Sequence, residues 1–115
     1  MLLWGGASAG VRDISENGLF LGKFDFAIYS SVQVPLRPGE WGLLYTDGIS
    51  EATNTADVEF GTGRFREFLA SADSTSADQL ADRLLEDLWH WSERRDGEDL
   101  NDDITMVAIH VSNNP

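Results

Sequence analysis

The first third of the chain alternates short apolar runs with glycine-rich breaks. Leu2 to Trp4 is apolar, Gly5 to Gly10 interrupts it, and Val11 to Ser15 is a mixed segment too short for a helix. Short runs bounded by glycine and Asn-Gly pairs are typical of strands joined by turns. We therefore expect a hairpin around Gly5 to Gly10 and a further turn at Asn17-Gly18.

A second strand pair is predicted before position 47. Ser31 to Leu36 alternates apolar and polar residues, Arg37 to Glu40 has turn composition, and Trp41 to Thr46 is almost wholly apolar. This spacing predicts two antiparallel strands. Pro35 cannot donate to a strand ladder, which places the first strand at an edge. The second strand is expected to be buried on both faces.

From Gly48 onward the apolar spacing lengthens to that of helices. One helix is predicted from about Thr62 to Ser71. A longer helix follows, with Ser76 and Gln79 in the arrangement of a capping box. Its apolar stripe is typical of a core-facing amphipathic helix without chemistry and consists of Ala77, Leu80, Leu84, Leu88 and Trp91.

The chain ends with another apolar segment. Ile104 to Val111 is apolar on both faces and predicts a strand inside a layered structure. Strands first, helices next and one strand last indicate an α+β fold in which antiparallel β-sheet packs against helices. Residues 1–115 are expected to form a single structural unit, since the chain shows neither a repeat nor a long linker.

Charge restricts the classes of partner. The chain has 20 Asp and Glu against 8 Lys and Arg, giving a net charge of −12. This charge opposes binding to nucleic acid or to an anionic membrane surface. It suits either a solvated acidic surface or carboxylates that bind cations. With no cysteine, disulfides and thiolate chemistry are excluded. No leader or membrane-spanning segment is apparent, so a cytoplasmic location is expected.

Aspartates stand where two apolar strands end. Asp47 follows the strand that ends at Thr46, and Gly48 allows a sharp turn; Asp102 and Asp103 precede the last strand. Aspartates at adjoining strand ends suit a hard divalent cation. Alternatively, Asp47 caps a helix that begins near Gly48, and the other two aspartates are solvated. The histidines, His90 and His110, lack ligand spacing and are expected to have packing or surface roles.

Motifs in a fixed order resemble a known enzyme family. They are the run Tyr45 to Asn54, the pair Phe60-Gly61 and the run Asp102 to Val107. In this order they resemble the C-terminal half of the catalytic domain of metal-dependent PPM (protein phosphatase 2C-like) serine/threonine phosphatases. The bacterial SpoIIE and RsbU branch is the most similar.

Upstream segments extend the resemblance, with two departures. Gly18 to Gly22 resembles the G-x-P-L-G turn of that branch, with Phe20 where proline is usual. Val34 to Glu40 resembles the approach to the aspartate strand, with Glu40 where aspartate is usual. The resemblance spans about residues 11–111 and implies part of a β-sandwich, in which two antiparallel sheets pack with helices.

The resemblance also implies a chemistry. Asp47 and Asp102 would be catalytic residues and metal ligands of a dinuclear Mn²⁺ or Mg²⁺ centre that activates water for attack on phosphoserine or phosphothreonine. Around these ligands, Asp103 would orient the site, Glu51 would pack or form hydrogen bonds near the turn that follows the strand, and Gly48 would lie close to the ligands. The substrate would be a phosphoprotein, for example an anti-sigma-factor antagonist. The resemblance does not indicate which residues bind the substrate.

Parts of the family pattern are missing from the chain. Neither the N-terminal aspartate-glycine element nor the Gly-His motif is present, and Met1 to Trp4 resembles the strand that follows this motif. We therefore expect an incomplete half of the fold, weak or absent activity, and exposed apolar surface that favours self-association. Two alternatives remain: a non-catalytic acidic interaction module derived from this fold, and a plain α+β domain.

Overall fold

The described part of the chain contains one antiparallel sheet. A computed structural model describes residues 1–5, 10–14, 21–73, 75–94, 98, 100 and 103–113. Within these ranges the strands are β1 (Leu2–Trp4), β2 (Arg12–Asp13), β3 (Trp41–Tyr45) and β4 (Met106–His110). Their order is β2-β1-β3-β4, with every neighbouring pair antiparallel. The predicted hairpin of β1 and β2 is confirmed.

The predicted strand from Ser31 to Leu36 is wrong. The structure has no strand at residues 31–36, and Val32 is 53% exposed. The two edges of β3 are instead occupied by β1 and β4. A segment can join a sheet only at a free edge, so residues 31–36 cannot pair with β3. The predicted turn at Asn17-Gly18 lies outside the described residues.

Both predicted helices are confirmed. Helix α1 spans Gly61–Ser71 and helix α2 spans Ala77–Ser92. The Oγ of Ser76 accepts a hydrogen bond from the Gln79 N–H at 3.2 Å, which is the predicted cap. The reciprocal half of the capping box differs, because Oε1 of Gln79 accepts from the N–H of Thr75 instead.

The helices cover one face of the sheet. Side chains alternate between faces along a strand, so Leu2 and Leu43, which pair directly, share a face. They pack with the apolar stripes of α1 and α2 in one core. This core consists of Leu2, Trp4, Trp41, Leu43, Ile49, Ala52, Phe60, Phe65, Leu69, Leu80, Leu84 and Leu88.

The other face of the sheet is only partly covered, which corrects the expectation that β3 and β4 are buried on both faces. Leu44 and Val107 pair across β3 and β4, yet they are 45% and 52% exposed. Along their strands, Leu44 and Val107 alternate with residues whose side chains point toward the helices. Their own side chains therefore lie on the opposite face of the sheet, where no described helix reaches them. Near β1 the same face is closed, because Met1 and Leu3 fill the space above Gly42.

Exposed apolar side chains also occur in the segment between β2 and β3. Leu21, Phe26 and Ile28 are 83%, 70% and 92% exposed. Self-association through such surface stays a prediction. Within the ranges that the structure describes, no helix has both the length and the apolar character to cross a membrane.

Candidate functional site

The end of β3 and the start of β4 lie side by side. Tyr45 pairs with Met106 in the antiparallel register, which places Thr46 beside Thr105. The N–H of Thr46 donates to the Thr105 carbonyl at 3.0 Å, and the N–H of Thr105 donates to Oγ1 of Thr46 at 3.2 Å. These two hydrogen bonds hold together the segments that lead to Asp47 and away from Asp103.

Gly48 extends this contact beyond the strands. It is buried, and a Cβ at this position would overlap the carbonyl oxygen of Asp103. Because that oxygen belongs to the backbone, it cannot move aside as the end of a side chain could. Position 48 therefore requires glycine for the close approach of two chain segments.

Asp47 lies at the edge of this contact and is exposed. Its carbonyl accepts hydrogen bonds from the N–H of Glu51 at 2.9 Å and from Oγ of Ser50 at 3.3 Å. These bonds close a turn rather than a helix, since the next helix begins only at Gly61. The alternative in which Asp47 caps a helix beginning near Gly48 is therefore wrong, and its carboxylate is exposed to solvent.

The second predicted ligand, Asp102, lies outside the described residues. Its neighbour Asp103 is exposed and has its carbonyl against Gly48. The structure thus brings together the segments next to both predicted ligands but gives no position for the Asp102 carboxylate. Convergence of Asp47 and Asp102 stays a prediction.

The donor set of the described residues suits a divalent cation only in part. Carboxylate oxygens such as that of Asp47 are the ligands that Mg²⁺ and Mn²⁺ prefer. Within the described ranges, however, no group of three or more His, Asp or Glu residues could hold a metal ion. Glu51 and Asp103 each make interactions within the chain, and the orienting role of Asp103 and the packing or hydrogen-bonding role of Glu51 stay predictions. A complete site needs further ligands.

Tyr45 and Thr46 belong to the motif that runs from Tyr45 to Asn54, but neither residue was assigned a role at the site from the sequence. Burial is the main cause that raises the pKa of the Tyr45 phenol; Asp13 and Asp47 add to it, and Arg66 opposes it. The Tyr45 ring meets the Phe65 ring edge-on, with centroids 4.8 Å apart. Their position directly before the strand-end Asp47 was the sequence signal that could have identified both residues as supports of the segment that carries Asp47.

His110 has the packing role expected from the sequence. Its ring stacks on Trp41 with centroids 3.9 Å apart, and Trp41 stacks in turn on Trp4 at 5.9 Å. This stack lies at the start of β3, whereas Asp47 follows its end. His90 is exposed on α2.

Comparisons with known proteins cover nearly the whole chain. The sequence profile of the family described as Stage II sporulation protein E (SpoIIE) matches residues 1–112. No curated protein matches the chain significantly.

Two solved structures share its fold. The SiaA-PP2C domain of Pseudomonas aeruginosa has a TM-score of 0.68 at 22% identity, over 96% of this chain and 43% of that one. The phosphatase domain of SpoIIE from Bacillus subtilis, presoaked with Mn, has a TM-score of 0.64 at 19% identity, over 99% of this chain and 47% of that one. The chain therefore spans less than half the length of these domains and has the fold of about half a PP2C-type domain.

Proposed function

The chain belongs to the SpoIIE family, and from this premise we propose that it is part of a metal-dependent protein phosphatase. The proposed reaction is hydrolysis of phosphoserine or phosphothreonine on a regulatory phosphoprotein, such as an anti-sigma-factor antagonist. The observation that supports it best is the close approach of Gly48 to Asp103, because it joins the two aspartate-bearing segments. In our proposal residues 1–115 are the C-terminal portion of the phosphatase domain.

Asp47 and Asp102 are the proposed ligands for two Mn²⁺ or Mg²⁺ ions. Such ions supply an activated water and neutralise charge on the phosphoryl oxygens. The other residues of this chain contribute by positioning the two segments that carry these aspartates. The Thr46 and Thr105 hydrogen bonds fix the strand ends, and Gly48 lets the two segments approach each other. An exposed carboxylate at position 47 can bind a cation without first losing a hydrogen-bond partner in the core.

Two carboxylates are too few to fix two cations, so the proposed activity of the chain alone is low. A hard divalent ion takes about six oxygen ligands, and each water left among them weakens its positioning. We expect hydrolysis of p-nitrophenyl phosphate by this chain to be slow or absent with Mn²⁺. Mn²⁺-dependent turnover that Asp47→Ala abolishes would contradict the inactivity but support the phosphatase assignment.

Mn²⁺ titration calorimetry of the 115-residue chain tests the ligand assignment. We expect weak binding that is lost in the double variant Asp47→Asn, Asp102→Asn. The matched control is Asp78→Asn, Asp82→Asn, which changes the charge equally on exposed positions of α2. If both double variants bind Mn²⁺ as the parent chain does, the aspartates are not ligands. The non-catalytic acidic interaction module would then be the better interpretation.

A further inference from the structure

Three arginines in the described part of the chain have partners within it. Arg64 donates to the carbonyls of Glu59 and Phe60, Arg66 pairs with Asp13, and Arg83 donates to the carbonyl of Asp73. Arg12 and Arg37 differ from them. Neither guanidinium forms a hydrogen bond or ion pair within the described part of the chain, although the chain carries 20 acidic residues. Arg94 also lacks such a partner among the described residues, but it does not line the cavity described next.

Both of these arginines line one cavity. It has a volume of about 370 Å³, and its lining also includes Trp4, Gly5, Gly10 and Glu40. The Glu40 carboxylate is already engaged, because its Oε2 accepts a hydrogen bond from the backbone N–H of Arg37 at 2.7 Å. The cavity is thus lined by two arginines and a buried tryptophan, and its one carboxylate accepts a hydrogen bond from the backbone.

The cavity is separate from the proposed metal site. It lies where Trp4 pairs with Trp41 at the start of β3, whereas Asp47 follows the end of that strand. Six residue steps of extended chain correspond to about 20 Å. This distance exceeds the Debye length of about 8 Å at physiological salt, so the two sites are electrostatically almost independent.

We propose that this cavity binds the phosphate group of a ligand. Guanidinium groups present donors in a planar fork that matches phosphate oxygens, and the two arginines outnumber the one carboxylate of the lining, so the cavity favours an anion. The phosphate can be free, or it can be part of a phosphoserine or phosphothreonine side chain. The use of this cavity as a second contact for a phosphoprotein rests on the proposed function, whereas the binding of phosphate to the cavity does not.

The charge of the whole molecule makes such a cavity useful. A net charge of −12 repels an approaching phosphoprotein. Within a Debye length of the cavity, Arg12 and Arg37, which have no partner in the described part of the chain, oppose this repulsion.

The test is a titration followed by NMR in the presence of a metal chelator, so that the proposed metal site cannot contribute. The probes are inorganic phosphate, a phosphoserine peptide and the same peptide without phosphate. We expect shifts at the Trp4 indole and the amides of Gly5 and Gly10 with both phosphate-bearing probes, and little change with the third. Competition by inorganic phosphate distinguishes a site for phosphate alone from one that also contacts the peptide.

Variants identify the groups responsible. Arg12→Gln with Arg37→Gln is expected to weaken binding at least roughly tenfold, which corresponds to about 1.4 kcal/mol. The control Lys23→Gln with Arg83→Gln removes the same charge elsewhere and is expected to change binding less than about twofold. Arg12→Lys with Arg37→Lys keeps the charge without the fork and is expected to bind with intermediate affinity. Circular dichroism checks that each variant is folded.

Three results would overturn the proposal: equal losses in the two glutamine double variants, shifts confined to residues away from the cavity, or no binding at millimolar phosphate. Because the titration excludes metal, failure here leaves the Mn²⁺ experiment unaffected. Conversely, phosphate binding in this cavity is expected to persist in Asp47→Asn, whatever that substitution does to Mn²⁺ binding.

Discussion

Gly48→Ala tests the contact that joins the two aspartate-bearing segments. The added Cβ would overlap the Asp103 carbonyl oxygen, so the backbone of one segment must move. Overpacking of this kind costs about 1–3 kcal/mol. The loss of conformational freedom in the unfolded chain offsets about 0.4–1 kcal/mol of this. Since the overlapping atom belongs to the backbone, we take the upper part of the overpacking range, about 2–3 kcal/mol, and after the offset we expect the free energy of unfolding to fall by about 1–2.6 kcal/mol.

Gly63→Ala is the matched control. Gly63 lies in α1, and a Cβ there would meet no atom within 4 Å. Alanine in an exposed helical position is more stable than glycine by about 0.5–1 kcal/mol. The same substitution is therefore expected to stabilise the chain at position 63 and to destabilise it at position 48.

Urea unfolding followed by circular dichroism measures both free energies. Amide hydrogen exchange then locates the damage, since the Thr46 N–H, which donates to Thr105, should exchange faster in Gly48→Ala. If Gly48→Ala is as stable as the parent chain and Thr46 keeps its protection, the segments do not approach as closely as described. The structural support for the proposed site would then be lost.

Three further predictions test the fold. Leu84→Ala in the buried stripe of α2 should cost about 2–5 kcal/mol by leaving a cavity, whereas Leu85→Ala, at an exposed position, should cost under about 1 kcal/mol in the same urea experiment. Asp57 has φ +57°, so Asp57→Val should destabilise by about 1–2 kcal/mol while Asp57→Gly does not; equal effects would contradict this turn. Folding raises the pKa of Tyr45 above its usual value near 10.0, so the folded chain keeps this proton longer than the unfolded one. Its contribution to stability is therefore present below that pH and is lost as pH rises above it, and Tyr45→Phe should lose less stability between neutral and strongly alkaline pH.

Local signals in the sequence identified the helices well. The Ser76 cap and the apolar stripe of α2 involve residues within a few positions of one another, and each was found as predicted. The strand from Leu2 to Trp4 and its hairpin partner were equally local, because only a short connection separates them. Such features depend on neighbours in sequence and not on the rest of the fold.

The sequence pattern alone did not predict which segments pair when they are distant along the chain. The alternation in Ser31 to Leu36 is a genuine strand pattern, but whether it forms a strand depends on a free sheet edge, and β1 and β4 occupy both edges of β3. Likewise, the apolar sequence of β3 does not show whether one face of the strand or both are covered, and Leu44 is exposed. The contact between Gly48 and Asp103 joins segments far apart in sequence, so the sequence identified the aspartates and the turn at Gly48 but not the contact itself.

Charge alone does not make the proposed metal site. With a net charge of −12, the chain attracts divalent cations diffusely, and such attraction weakens as salt shortens the screening length. A site in which Asp47 and Asp102 contact the same ion is screened much less, because its charges touch. Mn²⁺ binding that survives added salt and depends on both aspartates would therefore be specific, whereas binding lost with salt in all variants would reflect the acidic surface. This distinction matters because the described residues contain no group of three side chains that could hold a metal ion, and a third ligand is what separates a metal centre from a pair of surface carboxylates.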